Sequence, residues 1–266
     1  MADVKSRLQS SWFGEVPMST VSDLTIQLAG ATTEEDILFH LIELYKAGDF
    51  TQKPLLIQLM NHTKDEEILE LCIRVFFSVC THDAIRETHH LTFLQDASEH
   101  TVRAFAWAAP TSLSLEVVPY LLALLDEWDD HPSISAIIRN SIRFFVDFEN
   151  DWGKEATIEQ IAQSYFDFCD EGDIETYYFD QMPAFPGDMT KTLVQRVFLA
   201  ANNEEPLRME VIPSLLSIWS GVKVPGEYDT IIGASNYKSF ISYVDQLATK
   251  KWEKGSKYFY GHQLLT

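Results

Sequence analysis

The chain has 266 residues, 46% of them hydrophobic, and a formal net charge of -20. That is apolar content enough for a sizeable core. A deficit of cations this large argues against nucleic acid or an anionic membrane as partner, since phosphate contacts need clustered Lys and Arg, and it favours a basic partner instead.

Residues 1–32 read as an irregular N-terminal segment. Their opening, MADVKSRLQSSWFGEV, lacks the apolar core of a signal peptide. No later segment offers the roughly 18 uninterrupted apolar residues of a membrane span, so a soluble, cytoplasmic protein is expected. Cys72, Cys80 and Cys169 are odd in number and lack a C-x-x-C spacing, which suits reduced core thiols.

Helical periodicity begins at Thr33, an N-cap followed by Glu34, Glu35 and Asp36 in a favourable acidic first turn. Ile37, Leu38, Leu41, Ile42 and Tyr45 form its apolar stripe, and Gly48 ends it. Proline then leads three short apolar helices, KPLLIQLM (53–60), VPYLLALL (118–125) and IPSLLSIW (212–219). Glu-Val stands just upstream of the second and third. Behind the first lies DEEILELCIRVFF (65–77) and behind the second PSISAIIRNSIRFF (132–145), each with Ile-Arg before an aromatic pair. SEHTVRAFAWAA (98–109) repeats the second helix, with small Ala104, Ala106 and Ala108 for close packing.

The repeating unit is therefore a helical hairpin. Proline-led first helices and V-R-x-x-A second helices resemble HEAT-type repeats, whose units run about 40 to 47 residues. That resemblance spans roughly residues 33–220 and implies an all-α fold, hairpins stacked in a right-handed or irregular solenoid, closed by a C-terminal cap over 221–266. The whole chain is read as one domain. EYDTIIG (227–233) is a possible short strand, and KYFYGHQLLT at the C-terminus is left open between strand and coil.

With central helices expected near 114–129, 133–148 and 154–170, each closes on acids: Asp126, Glu127, Asp129 and Asp130; Asp147, Glu149 and Asp151; Asp167, Asp170, Glu171 and Asp173. From Asp126 to Asp180, fifteen acids face three cations, so one fifth of the chain carries -12 of the net charge. An acid at a helix C-terminus costs a few tenths to about 1 kcal/mol against the dipole, and positions that violate a local rule without structural return are where a functional site is expected. Capping by Asp130, Asp151 and Asp173 would account for part of the pattern. Trp152, Tyr177 and Tyr178, lying near expected loops, are the aromatic anchors of the candidate partner surface. The clusters at 126–130 and 167–173 are expected to share one edge of the stack, with 147–151 opposite.

Chemistry has thinner support. His82, Asp83, His89, His90 and His100 are similar to the His-Asp pairs of all-helical phosphohydrolases, but a matching distant motif is missing. Asp126, Asp129 and Asp130 resemble the Mg²⁺-binding acids of terpene-synthase-like enzymes, in a different order from theirs. No Walker loop, G-x-G-x-x-G, G-x-S-x-G or H-E-x-x-H is present, so neither a catalytic residue nor a cofactor is assigned. In size, charge and helical style the chain resembles immunity proteins of bacterial polymorphic toxin systems, several of which are HEAT-like. The resemblance implies a non-enzymatic inhibitor that occludes a basic toxin domain with carboxylates. The alternatives are a general HEAT-type scaffold and a Mg²⁺-dependent helical enzyme acting on diphosphates.

Overall fold

A computed structural model describes residues 15–209 and 211–265. Helix α1 (Val21–Ala29) already lies inside the segment expected to be irregular. Thr20 and Asp23 form a capping box there, and Leu24 and Leu28 give it a buried stripe against α2 (Glu34–Lys46). Thr33 caps α2 as expected, its Oγ accepting from the Asp36 amide at 3.1 Å. Gly48 follows in the left-handed region (φ +84°), and the His262 ring lies 2.7 Å from where a β-carbon would sit. Only glycine satisfies both demands.

Helices α3 (Lys53–His62) and α4 (Glu66–Val79) form the first proline-led hairpin. Asp65 caps α4 by accepting from the Glu67 and Ile68 amides at 2.9 and 3.1 Å. Along α4 the side chains Leu71, Cys72, Ile73, Val75, Phe76, Phe77 and Val79 are all buried, because α2, α3 and α6 pack around it. After the short α5 (His82–Arg86), α6 (Glu99–Ala108) lies between α4 and α8 (Pro132–Arg143). The small residues of α6 permit the approach in which Ser141 Oγ donates to the Ala106 carbonyl at 2.6 Å. Helix α7 (Val118–Glu127) pairs with α8, and α10 (Ile158–Glu171) packs on α7 with the one-turn α9 (Phe148–Trp152) along its flank. Helices α11 (Pro186–Asn203), α12 (Val211–Ser220) and α13 (Tyr237–Ala248) complete the helical body. The architecture is all-α, with one hydrophobic cluster from Leu24 to Leu264.

Two small hairpins interrupt it. Strands β1 (Tyr178–Phe179) and β2 (Met182–Pro183) pair antiparallel, as do β3 (Tyr258–Phe259) and β4 (His262–Gln263), so the open C-terminal segment is a hairpin. The 227–233 segment supplies only a single bridge, Ile231 to Pro206. The hairpins are copies of one module. Tyr178 Oη accepts from the Asp173 amide at 3.0 Å, the Thr176 amide donates to the Asp173 carbonyl at 3.0 Å, and the Ala184 amide to the Tyr177 carbonyl at 2.7 Å. At matching positions Tyr258 Oη accepts from the Glu253 amide at 2.8 Å, the Ser256 amide donates to Glu253, and the Leu264 amide to Lys257. Both turns place two consecutive residues at positive φ, Asp180 with Gln181 and Tyr260 with Gly261, which is the primed geometry that matches strand twist. Each module follows a helix containing Ser-Tyr-x-Asp, at 164–167 and 242–245.

The modules lie side by side, with the Tyr177 amide bonded to the Gly255 carbonyl at 3.0 Å and the Gly255 amide to the Ala184 carbonyl at 2.8 Å. The C-terminus is therefore not a cap on the end of a stack. It returns to the middle of the chain, where β3 packs on α4 and α12. Lys257, which leads this second copy, is fully buried. Its Nζ donates to the carbonyls of Phe77 (2.6 Å), Cys80 (3.0 Å) and Ser112 (3.1 Å). A helix leaves its last carbonyls without partners, and a cation suits the negative end of its dipole. Lys257 meets both needs of α4 from 177 to 180 residues away.

Candidate functional site

The direction of α10 decides how the acidic clusters are distributed. Arg86 joins three acids: Nη1 to Asp83 (2.9 Å), Nε to Glu116 (3.0 Å) and Nη2 to Glu175 (2.6 Å). Glu116 precedes α7 and Glu175 follows α10, so the start of α7 lies beside the end of α10. At the other end, Arg139 donates to the Ala156 carbonyl, just before α10, at 2.7 Å and lies 3.6 Å from Asp129, just after α7. Helices α7 and α10 are antiparallel. The clusters at 126–130 and 167–173 consequently occupy opposite ends of the pair and do not share an edge. The extra pass of chain through α9, absent from the expected three-helix alternation, reverses the direction.

The three clusters also differ in chemistry. Helix α8 ends on Arg143 rather than on acids, and Asp147 is instead the N-cap of α9, accepting from the Asn150 amide at 3.3 Å. Glu149 pairs with Arg143 at 3.2 Å. The 147–151 group, with Asp151 in the first turn, is thus placed favourably at a helix start. Neither Asp130 nor Asp151 caps the next helix: α8 has His131 at its N-cap and α10 has Thr157. Asp173 holds the turn before β1, accepting from the Glu175 amide and the Thr176 hydroxyl.

Two clusters keep the unfavourable placement. Asp126 and Glu127 close α7, and Asp167, Asp170 and Glu171 close α10, with no basic residue in either last turn. Asp126, Glu127, Asp130, Asp170 and Glu171 are exposed and make no ion pair among the described residues. Asp167 accepts from Gln163 at 2.7 Å.

The aromatic assignments change as well. Tyr177 and Tyr178 are 3% and 7% exposed and belong to the core, so they are not interface anchors. Tyr178 packs edge-on against Phe168 at 5.2 Å. Tyr177 stacks on His82 at 4.1 Å. They were misplaced because the first hairpin module is turned inward, which helical periodicity does not report. Trp152 is 48% exposed, with Nε1 donating to Ser164 Oγ at 3.2 Å. Phe166, overlooked in the sequence, is 58% exposed in the middle of α10. A count of apolar residues on the outer stripe of that helix would have found it.

The histidines do not converge. His82 is fully buried, its Nδ1 2.7 Å from Ser114 Oγ. Burial, with Lys257 nearby, lowers its pKa from 6.5 to about 4, which keeps it neutral. His90 Nδ1 bonds the Ala84 carbonyl at 2.8 Å, and His100 lies 3.7 Å from Glu70. Among the described residues no three His, Cys, Asp or Glu side chains form a metal-binding group. A cleft of about 570 Å³ between α11 and α13 is lined by Phe185, Pro186, Leu247, Trp252, Lys250 and Lys251, and by none of the acids of the two clusters.

The model of the family described as immunity protein 47 matches residues 8–264, nearly the whole chain. The chain belongs to that family. No curated protein and no solved structure matches it. Membership implies a binding inhibitor of a toxin rather than an enzyme.

Proposed function

We propose that the protein neutralises a cognate bacterial toxin in the cytoplasm by binding a basic surface of the toxin domain and occluding it. The observation that carries the reading is family membership over residues 8–264. The -20 net charge supports a basic partner, as do exposed carboxylates at the ends of α7 and α10 that find no counter-ion among the described residues. Carboxylates there stand in for the phosphates or other anions that a basic toxin surface would otherwise engage. Their field speeds encounter, which suits an inhibitor that must act before the toxin damages its own producer.

The test is co-expression of the chain with the toxin domain encoded beside its own gene. Growth should be restored, and the purified pair should associate at a rate that falls at least about tenfold between low and high salt. Continued toxicity in the presence of folded protein would refute the reading. A salt-independent association rate would refute its electrostatic part.

A further inference from the structure

Helix α10 buries Ile161 and Ser164 toward α7 and turns the opposite face to solvent. Glu159, Gln163, Phe166, Asp167 and Asp170 are all exposed and lie within one stripe at helical spacing. Trp152, 48% exposed and bonded to Ser164, lies on the flank of the same helix. Ile174, three residues past the helix end, is 42% exposed. The result is an exposed aromatic ring flanked by carboxylates, on a helix face left open to solvent among the described residues. This is the anatomy of an interface centre, an apolar anchor inside a polar rim. The other end of the pair has acids but lacks a strongly exposed aromatic. Trp107 on α6 is 68% exposed, and the charged pair one to two turns before it, Arg103 with Glu99 at 2.8 Å, is internally matched.

We infer that the outer face of α10, with Phe166 as anchor and Asp167, Asp170 and Glu171 as its charged rim, is the docking surface for the basic toxin domain. The inference rests on the immunity reading and narrows it to one helix. Charge complementarity selects the occupant. Asp167, Asp170 and Glu171 stand where the helix dipole is already negative, so a Lys or Arg of the partner would meet carboxylates and the free end of the dipole together. Phe166 would enter an apolar patch between those cations.

This assignment makes stability and binding move in opposite directions. Asp170→Lys replaces a misplaced acid with a favourably placed cation, so its melting temperature should rise by about 2 °C. Its affinity for the toxin domain encoded beside the gene should fall about 100-fold when combined with Phe166→Ala. The control is Asp126→Lys with Asp130→Lys, which changes charge at the α7 end and should weaken binding no more than about threefold beyond general screening. Phe166→Ala alone, which leaves the charge unchanged, should still weaken binding about 30-fold.

If wild type binds and protects while the α10 variants do so equally well, or if the α7 variant loses as much, the α10 assignment fails and the immunity reading stands. If folded wild type neither binds nor protects, both fall. Circular dichroism and the rise in melting temperature exclude misfolding as the cause of lost binding.

Discussion

Lys257→Met removes one charge from the centre of the molecule and separates the forces that hold the C-terminal hairpin in place. The ammonium donates to three carbonyls, two of them at the end of α4, and of these Phe77 also receives the weak Cys80 thiol donor at 3.6 Å. Leaving a buried carbonyl unsatisfied costs about 1–3 kcal/mol, so loss of all three would cost about 6 kcal/mol. Against that, burial lowers the Lys257 pKa from 10.5 to about 8, which corresponds to about 3 kcal/mol disfavouring the charged form. Methionine relieves this penalty while filling much of the same volume. The expected net loss at pH 7 is about 3 kcal/mol.

The pH dependence provides a second reading. Below pH 8 the lysine is charged in both folded and unfolded states, and the penalty is fully present. Between pH 8 and 10.5 the native state gives up the proton while the unfolded chain keeps it, so wild-type stability gains up to about 3 kcal/mol relative to the variant across that window. Urea unfolding of both proteins at pH 7, 9 and 10.5, followed by far-ultraviolet circular dichroism, measures both effects. Tyrosine ionisation cancels in the difference to first order. A loss below about 1 kcal/mol at pH 7, or a difference that does not widen with pH, would refute the role given to these carbonyl contacts.

His82 should make stability fall as pH drops from about 6.5 toward 4, by up to about 3 kcal/mol, because its folded pKa is lowered and the unfolded chain takes up the proton first. His82→Gln should remove that part of the acid slope in paired denaturation curves. Gly48→Ala should destabilise by about 2 kcal/mol or more, since it meets both a positive φ and the His262 ring, and a melting temperature within a degree of wild type would contradict it. Thr157→Ala should cost about 1 kcal/mol by removing the capping box at the start of α10, where Thr157 and Gln160 bond each other's amides at 3.3 and 2.8 Å. Its toxin affinity should be unchanged once folded.

Much of the helical body was legible because its signals are local. Thr33, Asp65, Ser98 and the prolines at 54, 119 and 132 begin helices where capping chemistry and a fixed φ predict them. The apolar stripes behind them reach the core for the same reason. Helix α1 was equally readable from Thr20 and Asp23, and the repeated Ser-Tyr-x-Asp and Tyr-Phe segments announced the hairpin modules to anyone comparing the two halves.

The sequence by itself determined the all-α class, the proline-led helices and the excess of acid, since each depends on residues within a turn or two of one another. Tertiary structure alone decided that α10 runs against α7, which divides the acids between two ends. It also decided that Tyr177 and Tyr178 face inward and that Lys257 closes the end of α4. Those outcomes depend on the path of a connecting loop and on contacts between residues up to 180 apart, and no local propensity encodes the direction in which a chain returns.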